Sequence, residues 1–494
     1  MLEALAVGFA GALQIHNVLF LIVGVVLGII GGAMPGIAAS TVIALLLPLT
    51  FGMPADTSLI LLAASYVAAE YGGSISAIVI NTPGTPGAIA TTFDGYPLAR
   101  SGYPVKAMCA SLVPGTIAGI LATIVLIVAA GPMVNIALKF GAAEYFALGL
   151  FGLTIISSLS TGGIAKAAIA TGLGLFVATI GTDTVVGFPR FTFGVGALLN
   201  GIELVPALIG LLALPEAFSM IEELGMPGLA PQKFSREFPT WSEWKSLIPA
   251  TIRGWLVGTL IGAMPGAGAA IASIVAYNEE KRASKHPEKF GTGVMEGIAA
   301  PDAANCATVA GALIPTLTLG IPGSSSTAIM LGALTLHGLD PGPDLFRNNP
   351  TVVYSLFASQ FLADIAMLAL GLLGLTWWIN IVRIPKGVTA PCIIAICFVG
   401  AYSVSGNIWD IVTVFVAGVI GYAMRKLEFP VAATVLALVL GDLVEGNFRR
   451  MLLLSHGDLL EFFQHPIAVA LFALSLISLG LPTWRRFHAK RKAA

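Results

Sequence analysis

The sequence predicts an all-α polytopic membrane protein made of two inverted repeats, each with a broken helix and a re-entrant hairpin, and roughly 10–14 membrane segments in all. Three observations point there. Hydrophobic residues fill 56% of the 494 positions and charged residues only 10%, against the roughly 25% charged that soluble domains carry. Uncharged stretches at 107–138, 145–165, 254–278, 303–339, 387–409 and 462–484 each reach the roughly 20 residues that a spanning helix needs. They are broken by turn residues and do not alternate in polarity, so they read as helices and not as barrel strands. Third, Gly32-Ala33-Met34-Pro35-Gly36 returns as Gly262-Ala263-Met264-Pro265-Gly266, 230 positions later, and Pro83-Gly84 returns as Pro322-Gly323, 239 positions later. Two matches in the same order at nearly one offset indicate an internal duplication.

Taken in order, residues 1–17 are expected at the membrane interface. The first hydrophobic segment lacks a basic n-region and a small-residue cleavage site, so it is expected to be retained. Residues 18–50 are broken by Met34-Pro35-Gly36 into arms of about 16 residues, roughly 24 Å as helix. That falls short of the roughly 30 Å hydrocarbon core and suits a hairpin. Residues 57–99 read as helix, polar break at 81–87, and a second helical piece ending at Arg100 and Lys106, expected in the cytoplasm. The first repeat is thus 18–106. Residues 107–221 supply scaffold spans at 107–138, 145–165, 167–182 and 191–215, whose Gly and Ala suit close packing. Residues 222–246 form a polar linker with Trp241 and Trp244 at headgroup level.

The second repeat covers 247–350. Its hairpin, 247–277, lies between Lys233, Arg236 and Lys245 on one side and Lys281, Arg282, Lys285 and Lys289 on the other. The positive-inside rule puts both flanks in the cytoplasm, so the segment enters and leaves on one side and turns at Pro265-Gly266. The first hairpin has only Asp56 in its following loop, which favours entry from outside and makes the repeats inverted. Residues 291–337 read as helix, break at 320–326, and helix, followed by a Gly/Pro-rich loop at 338–350. Residues 351–494 complete the scaffold with spans at 351–382, 387–424, 428–445 and 462–484. Arg383, Lys386, Arg425 and Lys426, with the tail residues Arg485, Arg486, Lys490, Arg491 and Lys492, predict a cytoplasmic C-terminus.

The generic enzyme signatures are missing from the sequence. Cys109, Cys306, Cys392 and Cys397 form no Cys-x-x-Cys pair and read as reduced packing residues. The histidines make no His-Glu-x-x-His motif, and the Gly-rich stretch at 262–268 has the spacing of neither phosphate-binding loop. No metal site, cofactor or nucleic-acid partner is expected; the composition implies a surrounding lipid bilayer, the net charge near zero says nothing about partners, and it is the duplicated pair of broken helices that points to transport of a small solute.

Unwinding a helix inside a membrane strands backbone groups at a cost of several kcal/mol each, tolerated where the break lines a site. Half-helix N-termini suit an anion and unwound carbonyls a cation. Around the first break stand Asn81, Thr82 and Thr85, and around the second Ser324, Ser325, Ser326 and Thr327, all neutral donors and acceptors able to ligate a carboxylate or a sodium ion. Gly36, Gly84, Gly87, Gly266, Gly320 and Gly323 read as backbone enablers that line the site. Glu70, Asp302 and Asn305 lie in apolar segments leading to the breaks, and the two acids are candidates for a coupling proton or cation. Asp364 and Asp410 are weaker candidates, placed where spans are expected to end.

At these motifs the chain resembles the large membrane subunit of the bacterial tripartite tricarboxylate transporters. The resemblance is carried by Gly31 to Gly36, by Tyr71-Gly72-Gly73-Ser74-Ile75-Ser76-Ala77-Ile78 leading to Asn81-Thr82-Pro83-Gly84-Thr85-Pro86-Gly87, and by Pro301-Asp302-Ala303-Ala304-Asn305 leading to Leu319-Gly320-Ile321-Pro322-Gly323. It covers essentially the whole chain. It implies a secondary transporter of the bacterial inner membrane that works with a small four-helix membrane subunit and a periplasmic solute-binding protein. It further implies import of carboxylates coupled to sodium or protons, without catalysis. The competing expectations are a channel or facilitator, an intramembrane enzyme using Glu70 and Asp302, and the permease of an ATP-driven importer. Bulky replacements of Ser325 or Thr82 are expected to abolish transport.

Overall fold

Apolar segments must close their backbone hydrogen bonds internally, and the chain does so as helix along almost all of its described length. The computed structural model describes residues 2–159, 163–183, 187–224, 237–381 and 384–478. Lys233, Arg236, Arg383 and the tail residues Arg485, Arg486, Lys490, Arg491 and Lys492, on which part of the expected sidedness rests, lie outside the described residues. Nine of the described helices are long and apolar enough to cross a membrane, and the protein is an all-α polytopic membrane protein.

The first part of the chain runs α1 (Leu2–Ala12), α2 (Ile15–Ala33), α3 (Ala39–Leu46), α4 (Ala55–Ile80), α5 (Thr91–Arg100) and α6 (Pro104–Ala137). Next come α7 (Ala142–Leu159), α8 (Ile164–Ala178), α9 (Leu204–Leu212) and α10 (Leu214–Glu222). The order of the first part then recurs in α11 (Trp241–Gly262), α12 (Gly268–Ala283), α13 (Glu296–Leu319), α14 (Ser325–Leu336), the short α15 (Pro343–Asn348) and α16 (Pro350–Leu373). The chain continues through α17 (Leu375–Ile381), α18 (Lys386–Ser405), α19 (Ile408–Lys426) and α20 (Val431–Leu454).

The hairpins have unequal arms where equal ones are expected. α2 has 19 residues and α3 only 8, the return arm tightening into a 3-10 turn at Leu47–Thr50 that contains Pro48. Both hairpins nonetheless return to the face they enter. In the first, Asn17 at the base of α2 accepts from Thr57 Oγ1 at 2.6 Å, at the base of α4. In the second, Arg253, midway along α11, pairs with Glu280, late in α12, at 2.7 Å, so α12 runs back along α11.

A stripe of small residues seats each first arm on the long helix that follows. A Cβ added at Gly24, Gly28 or Gly32 would lie 2.6, 2.5 and 2.1 Å from the carbonyl oxygens of Leu61, Ser65 and Ala69. At Gly254, Gly258 and Gly262 the same construction gives 2.3, 2.3 and 2.8 Å to those of Ala300, Ala304 and Thr308. The glycines repeat at 230 and their partners at 239, the two offsets of the sequence motifs. Only glycine permits this approach of backbones, and dispersion between them takes the place of the hydrophobic effect that lipid cannot supply.

α4 and α13 cross antiparallel, because Glu70 meets Asn305 while Ser74, further along α4, meets Asp302, which is earlier on α13. α4 also packs on α16, and α13 on α6, so each repeat's long helix packs on the helix that follows the other repeat. An antiparallel pair of long helices, each with a hairpin entering from its own starting face, is the geometry of inverted repeats.

Several boundaries differ from expectation. α11 begins at Trp241, inside the stretch read as linker, because Thr240 and Glu243 form a capping box there. Between α8 and α9 stand a two-residue antiparallel ribbon, Gly181–Thr182 with Pro189–Arg190, and a 3-10 turn at Gly196–Asn200, where a span starting at 191 is expected. The stretch 387–424 is two helices, divided at Gly406 and Asn407, whose side chain caps α19.

Candidate functional site

Each long helix ends in a left-handed C-cap, Asn81 with φ 57° and Gly320 with φ 71°, again 239 apart. The chain does not continue along the axis from there but doubles back. Gly84 N–H donates to Gly73 O at 3.1 Å, and Gly323 N–H to Thr316 Oγ1 at 3.3 Å. Each break therefore folds back on the last turns of its own helix and lies against its own hairpin, at whose tip Gly36 and Gly266 hold φ of 87° and 75°. In the second repeat this meeting is a hydrogen bond, Gly266 N–H to Gly323 O at 2.9 Å. In the first it is direct backbone contact, a Cβ on Gly84 falling 1.9 Å from Gly32 O.

The two breaks also reach across to the opposite repeat. Tyr66 of α4 is hydrogen-bonded through its hydroxyl to Ser324 Oγ at 3.0 Å in the second break. Asn305 of α13 lies against the first break, its Oδ1 only 1.8 Å from where a Gly87 Cβ would stand. Tyr66 and Asn305 are 239 apart, so the repeats exchange one polar side chain each. The first break further touches α12, and α14 touches α3.

The second break is a finished helix start. Ser324 Oγ accepts from Thr327 N–H at 3.2 Å, and Thr327 Oγ1 accepts from Ser324 N–H at 2.9 Å, a reciprocal capping box. The first-turn N–H groups of Ser325 and Ser326 stay available at the positive end of α14. The first break is different. Thr85 makes no cap bond, and Thr85 Oγ1, Glu70 Oε2 and Asn305 Oδ1 are all buried without a partner. Asn305 Nδ2 donates to Glu70 O at 3.2 Å. Buried oxygens without a hydrogen-bond partner are rare in folded proteins; the Thr85 and Asn305 side chains face the Glu70 carboxyl, and the three oxygens together could accept a further donor or a cation.

Of the residues singled out in the sequence, Glu70, Thr85, Gly87 and Asn305 come together at the first break, and Ser324, Ser325, Ser326 and Thr327 at the second, with Gly36, Gly84, Gly266, Gly320 and Gly323 shaping the backbone. Asn81 and Thr82 do not join them; both are exposed, and the Thr82 hydroxyl makes a long 3.4 Å bond to Ile80 O. Asp302, 1% exposed, stands beside the first break, its Oδ1 accepting from Ser74 and Thr91, each at 2.6 Å. Tyr66 is a cross-repeat side chain that sequence reasoning passed over; its place 239 before Asn305 is the signal that finds it. Asp94 is also new. Its Oδ1 accepts the N–H groups of Gly291, Gly293 and Val294 at 2.8 to 2.9 Å and its Oδ2 the Tyr277 hydroxyl at 2.9 Å, so it ties α5 to the loop before α13. Asp364 is corrected: it is the fifteenth of 24 residues in α16, not at a span end. Among the described residues no cluster of three or more His, Cys, Asp or Glu could hold a metal.

A protein of Agrobacterium vitis, described as an uncharacterized 52.8 kDa protein in the TAR-I ttuC' 3' region, is 36% identical over 491 residues, 99% of this chain and 98% of its own. A second from Agrobacterium vitis, an uncharacterized protein in the TAR-II ttuC' 3' region, is 35% identical over 234 residues, 47% of this chain and 97% of its own. No solved structure matches. The family model of the tripartite tricarboxylate transporter TctA family matches residues 18–436, nearly the whole chain, including both hairpins and both breaks. The chain belongs to the tripartite tricarboxylate transporter TctA family, and so to a transporter assembly in a membrane.

Proposed function

We propose that this chain is the large transmembrane subunit of a binding-protein-dependent secondary transporter that imports carboxylates of the tri- or dicarboxylate type, driven by a sodium or proton gradient. The observation that carries the reading is the exchange of Tyr66 and Asn305 between two breaks that differ in chemistry. Ser325 and Ser326 at the start of α14 offer N–H and hydroxyl donors to a substrate carboxylate, with Tyr66 and Ser324 beside them. Glu70, Thr85 and Asn305 offer oxygens to the coupling cation. Because Tyr66 and Glu70 are one turn apart on α4, filling either break alters the other, which is what coupling requires.

The two hairpins with α4, α5, α13 and α14 act as the moving core, and the remaining helices as scaffold. A small four-helix membrane subunit and a periplasmic solute-binding protein complete the assembly in the inner membrane, with the C-terminus cytoplasmic. The test is uptake of a radiolabelled carboxylate panel into proteoliposomes holding this chain and its small subunit, with and without binding protein, under an imposed sodium or proton gradient. Accumulation that needs both gradient and binding protein is expected. Equilibration without either would favour a facilitator or channel, and a chemically altered product would favour an enzyme.

A further inference from the structure

Asp364 lies at the α6–α16 interface, against Gly119 and one turn along α6 from Gly115, which abuts Cys306, the chain neighbour of Asn305. It is 1% exposed, and neither carboxylate oxygen has a hydrogen-bond or ionic partner. The carboxylate rests flat on Gly119 of α6, where a Cβ would stand 2.4 Å from Oδ1 and 3.0 Å from Oδ2. About one turn either side of Gly119, Thr116 and Thr123 have buried hydroxyls without partners, as has the Gln360 Oε1 one turn before Asp364. The titrating group that faces it is Cys306 of α13, and Asp302 and Glu70 lie on the other sides of that thiol. Glu3 of α1, His16 of α2, Asp56 of α4, Lys106 of α6, and Asp344 and Arg347 of α15 sit in terminal turns, and Lys106 pairs with Glu243. Among the described residues no Lys or Arg pairs with Asp364.

We propose that Asp364 is a proton-carrying site of the transport cycle: it binds one proton from the side of uptake and releases it on the other. An ionised carboxylate with no partner cannot stay in so dry a contact. Proton binding neutralises the group and lets α6 and α16 close over it; proton loss requires water, and hence their separation. Charge state thus biases two arrangements of one helix pair, the differential that a coupling ion must supply. The proposal rests on the transport reading and adds to it a protonic site outside the breaks.

The test uses the reconstituted assembly, with a pH dye trapped in the vesicles and a radiolabelled acid that the wild type exchanges. Wild type is expected to acidify the lumen only when substrate enters. Asp364→Asn, which mimics the protonated group, should keep at least half of the exchange activity but lose substrate-linked acidification and at least tenfold of pH-driven uptake. Asp364→Glu should keep both and shift their pH profile. The proposal is overturned if Asp364→Asn still acidifies the lumen, or if wild-type uptake follows sodium with no proton entry. If Asp364→Asn fails to assemble, an unchanged profile in Asp364→Glu overturns it instead. Wild-type assemblies that exchange no acid would overturn the transport reading itself, and this proposal with it.

Discussion

The two breaks share one backbone plan and differ in what their side chains present. Thr85 corresponds to Ser324, at the offset of 239, and both stand where a helix restarts. Ser324 is satisfied because Thr327 answers it in a capping box. At the matching place in the first break stands Ala88, which has no hydroxyl to answer with, and Pro86 replaces Ser325, removing an N–H. The second break is therefore self-sufficient and shows donors, while the first shows acceptors that find nothing in the protein. Divergence at these two positions after a duplication separates a donor-rich break from an acceptor-rich one, which the proposed function reads as the anion-facing and cation-facing halves.

The sharpest way to break this comparison is Glu70→Gln, which keeps shape and removes the only charge of the acceptor set. Loss of even an outer-shell partner of an ion's ligands weakens binding by about 10- to 100-fold, so gradient-driven accumulation should fall by at least about that factor. Exchange of substrate at equal ion concentrations should persist, since the donor half is untouched. Initial-rate uptake against cation concentration in the variant reads this directly. Unchanged cation dependence would mean that the first break is not the cation half.

A smaller effect separates the two glycine stripes. Gly32→Ala drives a Cβ to 2.1 Å from Ala69 O, whereas at Gly262 the nearest backbone atoms are 2.8 Å away. Overpacking costs about 1–3 kcal/mol, so Gly32→Ala should lower the melting temperature of the purified protein and Gly262→Ala lower it less. Equal shifts would show that the arms are seated by something other than these backbone approaches.

The duplication, the breaks and the membrane class were legible because they are written in residue types: Pro-Gly pairs, long uncharged runs, left-handed positions. The stripes were equally legible at spacings of four, once one looks for Gly24, Gly28 and Gly32 reappearing as Gly254, Gly258 and Gly262. Arm lengths were not, since a helix in an apolar run starts where its cap falls, and no charge marks Ile15. At the site, Ser324 to Thr327 and Asn305 could be picked out as polar groups in apolar surroundings. Tyr66 could not, because a tyrosine in an apolar helix reads as packing until its hydroxyl is seen to meet Ser324. Asp364 misled for a related reason: position along an apolar run does not reveal depth, and Gly119, which makes room for it, is 245 residues away.

The cross-repeat contact is tested by Tyr66→Phe, which deletes one hydroxyl. A neutral hydrogen bond contributes about 0.5–1.5 kcal/mol, so the apparent substrate affinity should weaken by about 2- to 12-fold with cation dependence unaltered. A shift in cation dependence instead would place Tyr66 in the other half of the comparison.

The smallest effect is expected at Thr82, and it bears on what makes a break a site. Thr82 stands between the left-handed Asn81 and Pro83, in the same motif as Thr85, and by sequence the two threonines are equivalent candidates. The fold separates them: Thr85 is turned in, 1% exposed with its hydroxyl free, and Thr82 is turned out, with its hydroxyl in a weak bond to Ile80 O. Thr82→Val should therefore change uptake by less than about twofold, within the roughly 0.5 kcal/mol usual for exposed positions, while Thr85→Val should lose cation dependence as Glu70→Gln does. If Thr82→Val proves as damaging as Thr85→Val, then the outer lip of the break meets the substrate or a partner subunit during the cycle, and the division into donor and acceptor halves describes only the inner wall of the site.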